Sequence, residues 1–410
     1  MKILIVVDSI DIEDSSGSKA NVALINNLKE AGFELLVYHY TLKNIKLKGI
    51  KTVAIPEIKW SLVYLLSRLQ RVVSRNMNIN LAPFFEKRFG FSFTFFNDTK
   101  SITKALKKES FQADLVLTLS KGASFRSHYA VLKSHNLHEK WMAYVHDPYP
   151  FHFYPRPYNW VQAGYDKKEA FFKEVSVKAK YSAFPSELLK EWMSSYFSDF
   201  SDTGIVIPHQ NSKYEIQDNS FPFYFDVSKF NLLHAGNLMK QRSPRGLIEG
   251  FKMFLEQNQD AAKESRLILL GNASYHSEML DEYKNSQEIY IYNENKSFDE
   301  VYNLQNNVSV NIILESKSEI SPFLPAKFPH CISANRSILC LSPYYSETRR
   351  LLGEDYEFWA EVDDSNKIAL LIEKLYKLWK QNPIELYLNR KDLEQYVSAM
   401  HLKETINNLR

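Results

Sequence analysis

Leu233-His234-Ala235-Gly236-Asn237-Leu238-Met239-Lys240-Gln241-Arg242 is an apolar run that ends in a glycine turn and is followed by two cations. Phe230 to His234 is short, apolar and bounded by polar residues, which predicts a buried strand. Past the turn, Ser243-Pro244 supplies an N-cap and a proline at the first helical position. Leu247, Ile248, Phe251, Phe254 and Leu255 then keep helical spacing. Strand, glycine turn and helix in that order open a β-α-β unit, whose crossover closes right-handed onto a parallel sheet. Apolar runs at Arg266 to Leu270, Ile289 to Tyr292, Val310 to Leu314, Ser337 to Leu341 and Phe358 to Val362 predict its remaining strands.

The same opening stands at the start of the chain. Lys2 to Val7 is a continuous apolar run, the mark of a strand covered on both faces, and a polar stretch from Asp8 to Ser18 follows. Val22, Leu24, Ile25 and Leu28 keep helical spacing, Gly32 supplies a C-terminal cap, and Phe33 to Tyr38 reads as the next strand. Asp114 to Leu119, Trp141 to His146, Tyr181 to Phe184 and Ile205 to Ile207 continue the series. A chain of 410 residues exceeds what one core usually organises. The expectation is therefore an α/β protein of two Rossmann-like, doubly wound domains facing across a cleft. Residues 1–208 form the first domain, 209–228 a linker without periodicity, 229–395 the second domain, and 396–410 a C-terminal helix that packs back on the first.

Composition is that of a globular protein, 45% hydrophobic and 24% charged, and no run approaches the roughly 18 apolar residues of a membrane span. The opening run is cut by Asp8, Asp11, Glu13 and Asp14 without a small-residue cleavage site, so it reads as a strand rather than a signal peptide. Cys331 and Cys340 lack metal-ligand spacing and suit a reducing cytoplasm. A net charge of +3 gives no case for nucleic acid, but cations gather from Lys43 to Lys51, at Arg68, Arg71 and Arg75, and at Lys240, Arg242 and Arg245. The segment Trp60 to Arg75, rich in Leu and Val beside three arginines, reads equally as a helix lying on an anionic membrane or one packed on its own domain.

Open parallel sheets bind ligands beyond the carboxyl ends of their strands. After the first strand, Ser16, Gly17 and Ser18 lead into a helix N-terminus suited to an anion or a hydroxyl-rich ligand; a plain N-cap is the alternative. After Trp141 to Val145 come His146 and Asp147, then Tyr149, His152, Tyr154, Arg156 and Trp160. A histidine and a carboxylate there can orient a hydroxyl and share its proton beside aromatic, sugar-stacking faces. A proline turn with a core histidine is the other reading. Lys240 and Arg242, just ahead of a helix, suit a departing diphosphate, or form a solvated surface pair. The proline-fixed loop from Glu315 to Lys327 offers its amides to phosphate or sugar, with Lys327 in the first turn of the following helix.

With these residues the chain resembles, over nearly its whole length, the GT-B glycosyltransferases, and within them the retaining, family-4-like group of bacterial polysaccharide assembly. Gly236 and Arg242 occupy the positions of that family's glycine turn and basic residue. Ser321-Pro322-Phe323-Leu324-Pro325-Ala326-Lys327 is similar to its nucleotide-sugar loop, and Phe184-Pro185-Ser186-Glu187 and Ile207-Pro208-His209 to markers closing its acceptor domain. Where the family carries a ribose-binding glutamate this chain has His330; the glutamate eight residues earlier is Pro322, and the arginine after the glycine is Asn237. Glu319 is the nearest substitute for the sugar-binding carboxylate.

The resemblance implies a nucleotide-sugar donor bound through Gly236, Asn237, Lys240, Arg242, Glu319, Ser321, Phe323, Leu324, Lys327 and His330. The strand-end positions point to a glycan or lipid-linked acceptor near Ser16, Gly17, Ser18, Tyr149, His152 and Arg156, with His146 and Asp147 at the reacting hydroxyl. No metal ion or other cofactor is expected, since no strand-end Asp-x-Asp is present and cations neutralise the diphosphate. The expected setting is the cytoplasm, at the inner face of the membrane. A sugar-nucleotide epimerase or hydrolase, or a sugar-binding protein without catalysis, are the rival readings on the same fold.

Overall fold

The computed structural model describes residues 1–122, 124–211, 220–294 and 296–409. The chain divides into two compact units. One comprises Met1–Tyr154, Tyr158–Gln210 and Ser398–Arg410; the other comprises Pro155–Pro157 and Asn211–Val397.

The first unit is built on a seven-stranded sheet. Its strands are β1 (Lys2–Val7), β2 (Glu34–His39), β3 (Lys51–Ala54), β4 (Leu115–Leu119), β5 (Trp141–Tyr144), β6 (Tyr181–Phe184) and β7 (Gly204–Val206). Their spatial order is β3-β2-β1-β4-β5-β6-β7, with every pairing parallel. Alternate residues of β1 feed opposite cores: Ile3, Ile5 and Val7 join one cluster, Leu4 and Val6 the other. Burial on both faces explains why these strands read as unbroken apolar runs. The C-terminal helix Ala399–Asn407 lies against the helix Ser16–Glu30 and sets Leu402 and Ile406 in the cluster around Ile3 and Ile5.

The second unit repeats the plan with β8 (Phe230–Ala235), β9 (Ser265–Leu270), β10 (Ile289–Tyr292), β11 (Val310–Leu314), β13 (Ser337–Leu341) and β15 (Trp359–Ala360). These are ordered β10-β9-β8-β11-β13-β15, again all parallel. Two short strands, β12 (Ile320–Ser321) and β14 (Tyr345–Ser346), pair with each other beside it.

Of the expected linker at 209–228, residues 212–219 lie outside the described residues. Its later part is not a free connection. Tyr224 and Phe225 are buried with Leu233, Ile268 and Leu270, and Tyr224 stacks on Tyr290 at 3.9 Å. Isolated aromatics anchored one at a time leave no period in the sequence. Among the described residues no helix is long and apolar enough to cross a membrane.

Candidate functional site

In the second unit the strand order runs outward in opposite directions from β8 and β11, so their carboxyl ends flank the point where loops diverge. Gly236 follows β8 and Glu315 follows β11. The turn at Gly236 presses on the end of β9. A Cβ added to Gly271 would meet the carbonyl carbon and oxygen of Gly236 at 2.7 Å, and Gly271 holds φ at +127°, where side chains are strained. Only glycine lets the two turns pass this closely.

A side chain on Gly236 would instead enter a polar hollow, 3.4 Å from Lys327 Nζ and 3.7 Å from His234 Nε2. Lys327 Nζ hydrogen-bonds His234 Nδ1 at 3.1 Å and reaches the Ile312 carbonyl at 3.5 Å. Burial drives the lysine pKa down to about 7, and the Arg242 charge pushes the same way against the nearby Cys331 and Glu315. His234 is fully buried, and burial, followed by the charges of Lys327 and Arg242, holds its pKa far below the usual histidine range. It is a neutral imidazole. With Nδ1 accepting from the lysine, Nε2 carries the hydrogen, and that buried nitrogen has no hydrogen-bond partner.

Arg242 donates from Nη1 to the Asn237 carbonyl at 3.2 Å, while its Nε is buried without a partner. Asn237 Oδ1 in turn accepts from the Asn272 backbone at 3.1 Å, tying the β8 turn to the β9 turn. Lysine ammonium, imidazole N–H and guanidinium N–H thus stand together with unfilled hydrogen-bonding capacity. Leaving donors unmade in a buried place costs free energy, and an anion is the kind of group that can satisfy all three.

The loop behind it is closed by the β12–β14 pair, which sets Ser321 beside Ser346. Ser346 Oγ lies 3.4 Å from Glu315 Oε1, and Glu315 Oε2 is buried without a partner. Burial pushes this carboxyl up, against the pull of neighbouring hydroxyls and Arg242. Lys327 is the cap residue ahead of the helix Phe328–Ser333, one position before the first turn where it was expected. His330 Nδ1 hydrogen-bonds Asn211 Oδ1 at 2.9 Å, its ring packs edge-on against Phe298, and burial lowers its pKa to about 4. Its Nε2 has no hydrogen-bond partner among the described residues.

One donor-side expectation needs correction. Leu324 is 3% exposed and packs with Ile313 and Phe328, so it offers the site backbone only. Glu319 and Lys240 are exposed and make no hydrogen bond or ion pair among the described residues. Phe323 is partly exposed. The sequence reading missed His234, Gly271 and Glu315. Each lies at or within two residues of a strand's carboxyl end, which was the available signal.

In the first unit His146 and Asp147 follow β5. Asn21, on the helix Ser16–Glu30, donates from Nδ2 to the Ser120 carbonyl at 3.0 Å, which leaves its Oδ1 to accept from His146 Nε2 at 2.7 Å. That network fixes the tautomer: Nδ1 keeps its lone pair and has no protein partner among the described residues. Burial, then the neighbouring His209 and His128, keeps the ring neutral, and it stacks on His209 at 5.5 Å. Asp147 makes no hydrogen bond among the described residues, and burial raises its pKa to about 6. A lone-pair nitrogen and a poised carboxyl therefore adjoin at one strand end.

The other acceptor-side residues divide. Tyr149 is 2% exposed, in the core against Phe125 and Phe172, and is corrected from a binding residue to a packing one. Aromatic spacing in sequence does not separate these roles. Ser15 is the N-cap, accepting from the Ser18 amide at 3.1 Å, and Ser18 is buried; the capping alternative describes both serines. Ser16 is exposed, and space beside Gly17 would admit a Cβ. His152 Nε2 meets Glu169 at 3.3 Å. Arg156 is exposed, with no ion pair among the described residues.

No protein-family profile matches the chain, and no curated protein matches it. Solved structures do. A trehalose-6-phosphate synthase, OtsA, superposes with a TM-score of 0.65 at 12% identity, covering 100% of this chain and 99% of that one. Anabaena Alr3699/HepE, solved in complex with UDP and glucose, gives 0.60 at 11% identity, covering 99% and 98%. A glycosyltransferase from Rickettsia africae ESF-5 gives 0.55 at 15% identity, covering 99% of each. The fold is that of the GT-B glycosyltransferases, two parallel-sheet α/β domains.

Proposed function

We propose that the chain transfers a glycosyl group from a nucleotide-sugar donor to a hydroxyl of a glycan or lipid-linked acceptor. Its setting is bacterial surface polysaccharide assembly, in the cytoplasm at the inner face of the membrane. The observation that carries this reading is the donor cluster of Lys327, His234 and Arg242 over Gly236. As the glycosidic C1–O bond breaks, its electron pair passes to the diphosphate, and fixed donors at that point stabilise the charge without reorganising. Two cations already aimed there support transfer without a metal ion or other cofactor. His146 Nδ1 and Asp147 accept from hydroxyls of the acceptor and orient it, while the reacting hydroxyl's own proton leaves with the departing phosphate as the new bond forms on the same face, with retention. On this reading His330 Nε2 takes the ribose contact that a glutamate makes in the glycosyltransferases the sequence resembles. A crystal soaked with candidate nucleotides tests the assignment. Diphosphate against Lys327 and Arg242 with ribose at His330 supports it; nucleotide bound elsewhere removes it.

Two further results are expected. With a pKa of about 7, Lys327 is half-charged near neutral pH in the free chain. A diphosphate beside it favours the ammonium, so binding takes up a proton, and affinity for UDP falls as pH rises above about 7, by up to roughly tenfold per pH unit. Calorimetry in buffers of different ionisation heat reads this uptake directly; pH-independent affinity and no uptake would sink it. On the acceptor side, Asp147 is needed as carboxylate, so transfer falls as pH drops through about 6. Asp147→Asn is expected to lower kcat on the order of 10²-fold and to erase that acid limb. A pH–rate profile in which the variant keeps the limb counts against the role.

A further inference from the structure

The helix Leu62–Asn76 is turned inside out. The residue it buries is Ser67. Leu62, Leu65, Leu69 and Val72 form a stripe on the opposite face, each more than half exposed, and Trp60, beside the N-cap Ser61, is 95% exposed. Surface helices ordinarily do the reverse. What fixes this one is polar: Ser61 Oγ donates to Asn97 Oδ1 at 3.1 Å, and Asn97 Nδ2 donates to the Ile58 carbonyl at 3.2 Å. The next helix, Ala82–Phe89, buries none of its residues, and Phe84 is 72% exposed. Of the two readings of this segment, packing of the stripe on its own domain does not describe Leu62, Leu65, Leu69 and Val72. A contiguous apolar stripe left in water marks an interaction surface.

Charge identifies its partner. Residues 59–90 carry Lys59, Arg68, Arg71, Arg75, Lys87 and Arg88 against one carboxylate, Glu86, which is ion-paired with Lys168 at 2.8 Å. At 100° per residue, Arg68, Arg71 and Arg75 fall along one flank of the stripe. Arg68 pairs with Glu57 at 3.0 Å, whereas Arg71 and Arg75 have no ion pair among the described residues. Both line a hollow of about 640 Å³ between the two helices, with Ser74, Asn78 and the already paired Glu86.

We propose that this face docks on an anionic lipid bilayer, the Trp60–Val72 stripe entering the headgroup boundary while Arg71 and Arg75 take a lipid phosphate in the hollow. Amphipathic helices bind in this way, by apolar burial together with attraction to anionic lipid. Trp60 is the residue type that settles at such a boundary. Pairing the stripe with a second copy would bring the arginines of both chains together with no free carboxylate to meet them. The docking does not depend on the transfer reaction.

The test is co-sedimentation of the full chain with vesicles of phosphatidylcholine containing phosphatidylglycerol, and with phosphatidylcholine alone. The chain is expected to sediment with the anionic vesicles and to release as salt rises. Joint Arg71→Gln and Arg75→Gln substitution should weaken partition about 25-fold, from roughly fivefold per cation near a charged surface. Leu65→Glu with Leu69→Glu should abolish it. All four positions are exposed, so an unchanged melting curve accompanies each loss. The proposal is overturned if the wild-type chain stays in the supernatant at low salt, or binds both vesicle types equally. It is equally overturned if the Glu variants dissolve a dimer and leave vesicle binding intact.

Discussion

Lys327→Met is expected to lower kcat for transfer by on the order of 10²–10³, the cost of removing one fixed donor from a charge-developing position. The substitution isolates charge from packing. Methionine fills the same volume, and Lys327 is enclosed at a desolvation cost that brings its pKa to about 7. Stability should change little, because relief of the ammonium's desolvation is offset by the donor that the buried His234 Nδ1 loses. Arg242→Ala is expected to act in the same direction, since its unpartnered Nε and the guanidinium anchored on the Asn237 carbonyl both vanish. Single-turnover rates at saturating donor separate this loss from weaker binding. A change of less than threefold with Lys327→Met would place the leaving group elsewhere.

Gly271→Ala should be as damaging, by a different route. The new methyl group would stand 2.7 Å from the Gly236 carbonyl and 3.1 Å from the Asn237 amide, at φ +127°, so either the β9 turn or the β8 turn must move. Overpacking and positive-φ strain together cost about 3 kcal/mol or more. For a unit of this size that corresponds to a fall in melting temperature of about 6–12 °C. Because Asn237 carries Arg242, donor binding should fail in whatever fraction remains folded. A melting scan and a UDP titration check both. A variant that melts and binds like the wild type would show that the two turns are looser than drawn.

What the sequence made legible follows from how each signal arises. Strands buried on both faces, such as Lys2–Val7 and Phe230–Ala235, show as unbroken apolar runs, and a glycine or polar turn marks their ends. That was enough to read the six-stranded sheet, all of the seven-stranded one except its half-buried edge strand Lys51–Ala54, and the Gly236 turn. The partners at those ends were not legible, because sheet order, not sequence, brings β9 and β11 to the two sides of β8. His234 gains meaning only when Lys327, 93 residues later, reaches it. Asn21 sets the tautomer of His146 from 125 residues away. Aromatic content pointed at Tyr149 and apolar loop position at Leu324, yet both side chains face inward, since composition says nothing of direction. The helix after Trp60 shows the converse. Its period was plain, but only the structure shows that serine is its buried side.

The central claim is that the chain moves a sugar rather than merely holding one. The most direct test incubates the full chain with a panel of sugar nucleotides and glycan or lipid-linked acceptors, and follows free nucleoside diphosphate. The account predicts release that requires an acceptor, gives a product of retained anomeric configuration, and is lost in Lys327→Met. Sugar nucleotide bound but never cleaved, or isomerised with no acceptor present, would contradict it.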